Sequence, residues 1–437
     1  MTVQTTVLKN GITVATQRFD NVESVSVGAW FKAGTRNEQD HEHGIAHMLE
    51  HMAFKGTATR SARDLAEAIE NVGGDINAAT SVETTSFFVR VLRQDTALAI
   101  DVLADILQNS RFDADELERE KHVVLQELGA ATDTPDDVVF DRFTETAFRH
   151  QPVGRSILGT RDTIASFTSD MIRAYVDREY SGERMVIAAT GAVDHDEIVR
   201  MAEQRFSTMK PSAEGRELGL AHYVGGDYRE QRPLQDTQLV LGFEGRAYHV
   251  RDYYCSQVLA MLLGGAMSSR LFQEVREKHG LCYSIYAFHW GFSDTGIFGV
   301  HAATEPGDLP KLLELIIGEL SRAAFDIEQS ELDRARAQFR ASLLMSGESA
   351  PSRAGQIARQ ILLFGRPIPN EELLLRLDNL TVARLRDLAG RIFVESAPTV
   401  SAVGPVDTLM DMDDIRARLA AGAPQQGTAQ HRRAAVG

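Results

Sequence analysis

The chain holds 437 residues, 43% of them hydrophobic, which is more than one core usually organises, so two or more domains are expected and a disordered or fibrous protein is excluded. Its 46 Lys and Arg against 62 Asp and Glu give a formal charge of −16, which excludes the basic footprint of broad nucleic-acid binding and would suit a cationic partner. The cysteines number two, Cys255 and Cys282, too few for a disulfide framework or a Cys-based zinc module, and a reducing compartment fits best.

In chain order, the first 30 residues alternate apolar and polar around a Lys-Asn-Gly turn and read as an opening hairpin, not a signal peptide. A strand (Val25 to Lys32), a helix (Ile45 to Ala53), a strand (Thr84 to Leu92) and a helix (Thr96 to Asn109) follow. Phe112-Asp113, Leu117 and a charged helix through Val124 to Leu128 close this set. The order then repeats: a strand (Thr237 to Phe243), a helix (Tyr253 to Leu263), a strand (Gly296 to Ala302) and a helix (Leu309 to Leu320). Phe325-Asp326, Leu332 and a charged helix through Phe339 to Leu344 complete the second set. Such internal similarity predicts two homologous α+β halves. Their expected bounds are 1–206 and 235–420, joined by a polar, Gly-containing linker at 207–234 and followed by a low-complexity tail at 421–437. No stretch approaches the roughly 18 consecutive apolar residues of a spanning helix, so no membrane insertion is expected.

The chemistry concentrates in His47-Met48-Leu49-Glu50-His51. On a helix His47 and His51 share one face and can grip one ion, with Glu50 beside them, while Ile45, Met48, Leu49 and Met52 form the packed face. His41 and His43, two apart on an expected loop, are poor co-ligands. A catalytic zinc needs three protein ligands and an open position for water. In the charged helix ADELEREKHVVLQEL, Glu120 and Glu127 lie seven apart and share a face to within about 20°. Two carboxylates in such a helix are as a rule simply solvated, so spacing alone leaves both readings open.

The segments HGIAHMLEHMAFKGTATR, GGDINAATSVETTSFFVRV and EREKHVVLQE resemble the inverted-zinc-motif peptidases of the pitrilysin type, most of all their processing-peptidase subgroup. The resemblance runs from about Leu8 to Val403. It implies two halves, each a mainly antiparallel sheet packed with helices, facing each other as a clam-shell chamber. It also implies one Zn2+ per chain held by His47, His51 and Glu127, since the family's third ligand lies some 75 residues beyond the second His. Glu50 matches the general base and Glu120 a supporting acid that does not touch the metal. Arg276 and Tyr283, in QEVREKHGLCYSIYAF, match an Arg and Tyr pair that reaches the substrate across the chamber; without the resemblance they read as a surface Arg and a core Tyr.

For substrate, the resemblance implies an edge strand at Asn77 and Ala78 that takes extended peptides, a pocket residue at Phe54, and acidic positions Asp137 and Asp141 that receive an Arg. Spacing alone would make Phe54 a core residue and Asn77 the start of an ordinary hairpin. The expected activity is endopeptidase cleavage of unfolded, basic, presequence-like peptides. A chain with both the zinc set and the Arg and Tyr pair resembles the one-gene bacterial type, so a homodimer in a bacterial cytoplasm is expected over a mitochondrial matrix. The rival is a non-catalytic core-type or partner subunit, which the intact zinc set disfavours.

Overall fold

The computed structural model describes residues 2–421, so residues 422–437 of the expected tail lie outside the described residues. The strands are β1 (Gln4–Val7), β2 (Thr13–Arg18), β3 (Ser24–Phe31), β4 (Asp75–Thr80), β5 (Thr85–Leu92), β6 (Met185–Gly191), β7 (Gly226–Gln231), β8 (Thr237–Glu244), β9 (Ile285–Gly291), β10 (Gly296–Thr304) and β11 (Thr399–Gly404). Among them run α1 (Ile45–Ala53), α2 (Ala62–Glu70), α3 (Thr96–Gln108), α4 (Ala114–Asp133), α5 (Pro135–Ala147), α6 (Arg161–Ser166), α7 (Ser169–Glu179) and α8 (His195–Arg205). Beyond β8 come α9 (Tyr253–Gly264), α10 (Leu309–Arg322), α11 (Gln329–Ser346) and α12 (Ala350–Phe364).

Two sheets result. The first has six strands in the order β1-β2-β6-β3-β5-β4, the second five in the order β7-β11-β8-β10-β9. Remove β1 and the orders coincide, including one parallel pair in each, β2 with β6 and β7 with β11. All other pairs are antiparallel. The mixed α/β architecture with two related sheets is the expected one.

The opening hairpin forms, with Val7 opposite Thr13. The stretch 207–234 is not irregular throughout, however. Its last part is β7, the partner of β11 and the counterpart of β2. Gly225 and Gly226 made it read as a linker, because a lone parallel edge strand of polar residues carries no clear apolar alternation.

Each sheet is covered on one face by helices from its own half. Residues of α1, α3, α7 and α8 pack against the first sheet around Phe31, Phe87 and Ile187. Residues of α9, α10 and α11 pack against the second around Phe243, Phe298 and Val300. The other faces are covered by exchange. In α12, Ala354, Ile357, Ala358 and Ile361 repeat at i, i+3, i+4, i+7 and bury against Ala15, Trp30, Val186 and Ala188 of the first sheet. In α5, Val139, Phe143 and Ala147 bury against Val240, Phe288, Ile297 and Val403 of the second. Gly242 makes room, since a Cβ there would stand 2.3 Å from the Phe143 ring. The expected division into 1–206 and 235–420 therefore differs from the packing units by one exchanged helix on each side. A polar contact joins the halves as well: the Arg36 guanidinium, nearly inaccessible to water, binds Asp294 at 2.6 Å and Glu83 at 2.8 Å.

Candidate metal centre

Helix α1 occupies the residues expected for it. Its start is set by Gly44, whose φ of +93° favours glycine and whose Cβ would strike Leu158 and Gly159 at 2.8 Å. Glu38, fully buried, accepts from the Gly44 and Ala46 backbone N–H groups at 2.9 Å each, satisfying two orphan donors of the first turn. Loss of hydration outweighs these bonds and pushes its carboxyl up to about 8. Ile45, Met48, Leu49 and Met52 enter the core, which turns His47, Glu50 and His51 away from it.

Across from them stands α4. Its N-cap Asp113 accepts from the Asp115 and Glu116 N–H groups, and Leu117 and Val124 seat the helix on the core. That orientation brings Glu127 to the two histidines: its Oε2 lies 3.6 Å from His47 Nε2 and 3.5 Å from His51 Nε2. One ligand atom from each of the three falls within 4.8 Å of the others. These separations exceed a hydrogen bond but match the edge of a zinc tetrahedron, about 3.4 Å for metal bonds of about 2.1 Å. The donors suit the ion too. Burial, then the neighbouring His51, lowers His47 to about 4, so its imidazole is in the neutral, ligating form at neutral pH. Three protein donors leave a fourth position free. The residues present fit a catalytic zinc.

Glu120 is buried and accepts from His51 Nδ1 at 3.0 Å. Because an ionised carboxylate can only accept, Nδ1 carries the proton and the Nε2 lone pair faces Glu127. The other carboxylate oxygen of Glu120 meets Lys55 Nζ at 2.5 Å. Neither Lys55 nor Glu38 was singled out in the sequence. Lys55 sits four residues after His51, one helical turn on, but nothing local marks Glu120 as its partner; Glu38 lies in an irregular segment with no periodicity to mark it.

The other expected residues are distributed as follows. Phe54 caps the C-terminus of α1, packs against the core and lies 6.3 Å from the Phe87 ring. Asn77 is exposed and Ala78 buried on β4, which is the edge of the first sheet and pairs with β5 alone. Arg276 lies in a π-helical turn, Phe272–Lys278, with its guanidinium 4.5 Å from the Phe272 ring and 5.0 Å from the Tyr283 ring. Tyr283 is 85% exposed, not a core residue. Among the described residues no hydrogen bond or ion pair links this pair to His47, His51 or Glu127. Asp141 lines an open cavity of about 680 Å³ in which the carboxylates of Asp40, Asp141, Glu145 and Glu230 are matched by Arg142, Arg155, Arg161 and Arg232. Desolvation raises the Asp141 carboxyl, opposed by Ser156 and Arg142. Asp137 does not line this cavity.

Residues 13–161 match the family model described as insulinase (peptidase family M16), and residues 166–339 match the model described as the peptidase M16 inactive domain. An uncharacterized zinc protease of Rickettsia bellii is 40% identical over 399 residues, 91% of this chain and 96% of that protein. The chain belongs to the peptidase M16 family. A probable mitochondrial-processing peptidase subunit beta of Arabidopsis thaliana is 35% identical over 429 residues, 94% of this chain and 80% of its own. A crystal structure of a protease from Helicobacter pylori superposes with a TM-score of 0.85 at 22% identity, over 92% of this chain and 99% of that one, a likeness of fold. The zinc protease relatives point to zinc as the metal of this M16 chain. No helix among the described residues is long and apolar enough to cross a membrane.

Proposed function

We propose that this M16 chain is a zinc-dependent endopeptidase that cleaves unfolded, basic peptides between its two halves. The observation that carries the reading is the convergence of His47, His51 and Glu127 beside Glu50, on two helices from one half. Zinc, when bound there, supplies an acidified water and a polarised scissile carbonyl. Glu50 takes the proton of the attacking water and passes it to the departing amine. Glu120 keeps the His51 ring aimed through Nδ1. Arg276 and Tyr283, brought in from the second half on closure, donate to the carbonyl oxygen as negative charge develops on it.

The unpaired edge of β4 at Asn77 and Ala78 would take an extended peptide as an added strand, which supports a preference for unfolded segments. Phe54 would meet an apolar side chain after the cut, and Asp137 and Asp141 an upstream Arg. The presence of both residue sets in one chain supports self-sufficiency, and a homodimer in a bacterial cytoplasm completes the proposal. The alternative, a partner subunit, follows from the relative named as a subunit.

Metal analysis coupled to peptide cleavage tests the reading. Purified protein should hold about one zinc per chain, and Glu50→Gln should keep the metal and lose cleavage. Cleavage unchanged in that variant would remove Glu50 from its role. A peptide library should show an Arg preference that Asp137→Ala with Asp141→Ala abolishes. Light scattering on an active fraction reads the dimer, and activity that appears only on adding a different subunit would sink it.

A further inference from the structure

We infer that Lys55 is a positioning residue of the zinc centre, acting through Glu120 on His51; this rests on the proposed zinc reading. The carboxylate of Glu120 has two oxygens and each has one partner: Oε2 takes His51 Nδ1 at 3.0 Å and Oε1 takes Lys55 Nζ at 2.5 Å. Its side chain is 6% exposed, so water does little to fix it. A buried carboxylate held by one donor alone can rotate about its last bond, whereas two donors on opposite oxygens fix its plane. That plane sets the direction of the His51 Nδ1–H bond, and through it the line along which Nε2 faces Glu127. Lys55 thus aims a metal ligand that it never touches.

The chain around Lys55 is built to hold it there. Its backbone N–H closes the last turn of α1 onto the Met52 carbonyl at 3.2 Å. Gly56, at φ +110°, then turns the chain sharply. Buried Thr57 pins the turn by donating to Asp105 at 2.8 Å, and Arg60 binds the same carboxylate. Ala58 donates to the Asn109 carbonyl and Arg111 to that of Gly56, so this turn is tied to the start of the segment leading into α4. The ammonium and the carboxylate it meets therefore come from two elements locked together just behind the metal ligands. With 32% of its side chain exposed, Lys55 keeps a route to solvent, which lowers the cost of burying its charge beside Glu120.

Zinc affinity, read by competition with a chromophoric chelator in the absence of peptide, tests the inference on the full chain. Lys55→Met should bind zinc about 10- to 100-fold more weakly than wild type, the loss usual for a partner behind a metal ligand. Lys55→Arg, which restores a cation able to reach Glu120, should recover most of that loss, and so should the visible spectrum of the cobalt-substituted protein. If Lys55 acts through Glu120, the Lys55→Met, Glu120→Gln double variant should bind no more weakly than Glu120→Gln alone. Equal or tighter zinc binding by Lys55→Met, no recovery in Lys55→Arg, or additive losses in the double variant would each overturn it. Should Lys55→Met fold poorly, judged by metal-free thermal unfolding, the Arg variant and the comparison with Glu120→Gln decide. A wild-type chain that binds no zinc would overturn both this and the zinc reading; zinc bound equally by wild type and Lys55→Met overturns this one alone.

Discussion

The second half repeats the strand order of the first, parallel pair included, yet its counterpart of the metal helix has a different surface. Helix α1 buries one face and leaves His47, Glu50 and His51 on the other, whereas α9 buries Cys255, Val258, Leu259, Leu262 and Leu263 and carries no histidine or carboxylate. Helix α4 carries Glu120 and Glu127; α11 has Ser342 near the place of Glu127. The metal cluster found among the described residues lies wholly in the first half. One scaffold thus supports two roles, and a handful of helix-face positions separates them. The model described as inactive matches residues 166–339, a range that takes in four of the five strands of the second sheet.

The comparison can be broken or sharpened by substitution. Glu127→Ala should remove the third ligand and with it several kcal/mol of catalysis, roughly 10³-fold in kcat/KM, with zinc lost by metal analysis; Ser342→Ala on the other half should leave both unchanged. Loss of zinc in the Ser342 variant would mean the halves are not so divided. Phe143→Ala, a fully buried ring of the first half seated on the second sheet, should cost about 3–5 kcal/mol. Its mark in hydrogen exchange should fall on β8 and β11, and protection lost only in the first sheet would contradict the exchange of helices. Arg276→Ala should lower kcat about 10²-fold at unchanged zinc affinity; weaker zinc binding would place Arg276 among the groups that hold the metal.

The smallest effect concerns pH. Burial raises Glu38 to about 8 from an ordinary 4.5, so the folded chain holds that proton where the unfolded chain has released it. The stability contributed is full below about 4.5 and is lost as pH rises towards 8. Metal-free wild type should therefore lose about 2–4 °C in Tm relative to Glu38→Gln between pH 5 and 8. A constant difference between the two across that range would show that Glu38 stays charged in its cap.

Much of this was legible in the sequence where periodicity is strong. The bounds of α1 and the paired order of strands and helices follow from apolar spacing, which buried faces enforce. In the His47, His51 and Glu127 cluster, helical spacing marks the two histidines as one pair, while Glu127 is singled out only by the family resemblance. What escaped depends on contacts between distant segments. The pairing of β2 with β6 joins Thr13 to Val186, and no local pattern announces it. The apolar faces of α5 and α12 say that each must be covered, but not by which sheet. The exposure of Tyr283 and the ion pair of Lys55 escape for a related reason: both are set by tertiary geometry, and an aromatic or a lysine carries no sign of either alone.

The exchanged helices also decide what can come apart. The chain passes between the two packing units at Thr134, again through 148–160, along 206–226, and once more on either side of α12. A protease that nicks the 207–225 segment would leave each fragment gripping the other by a helix laid across its sheet, so the cut protein should still migrate as one particle without denaturant. Any opening that admits a peptide has to carry α5 along with the second sheet and α12 along with the first. The bending then falls on every crossing together, on Thr134 and on Gly347 to Ser349 as much as on the 206–226 segment, so the expected linker cannot act as a hinge by itself.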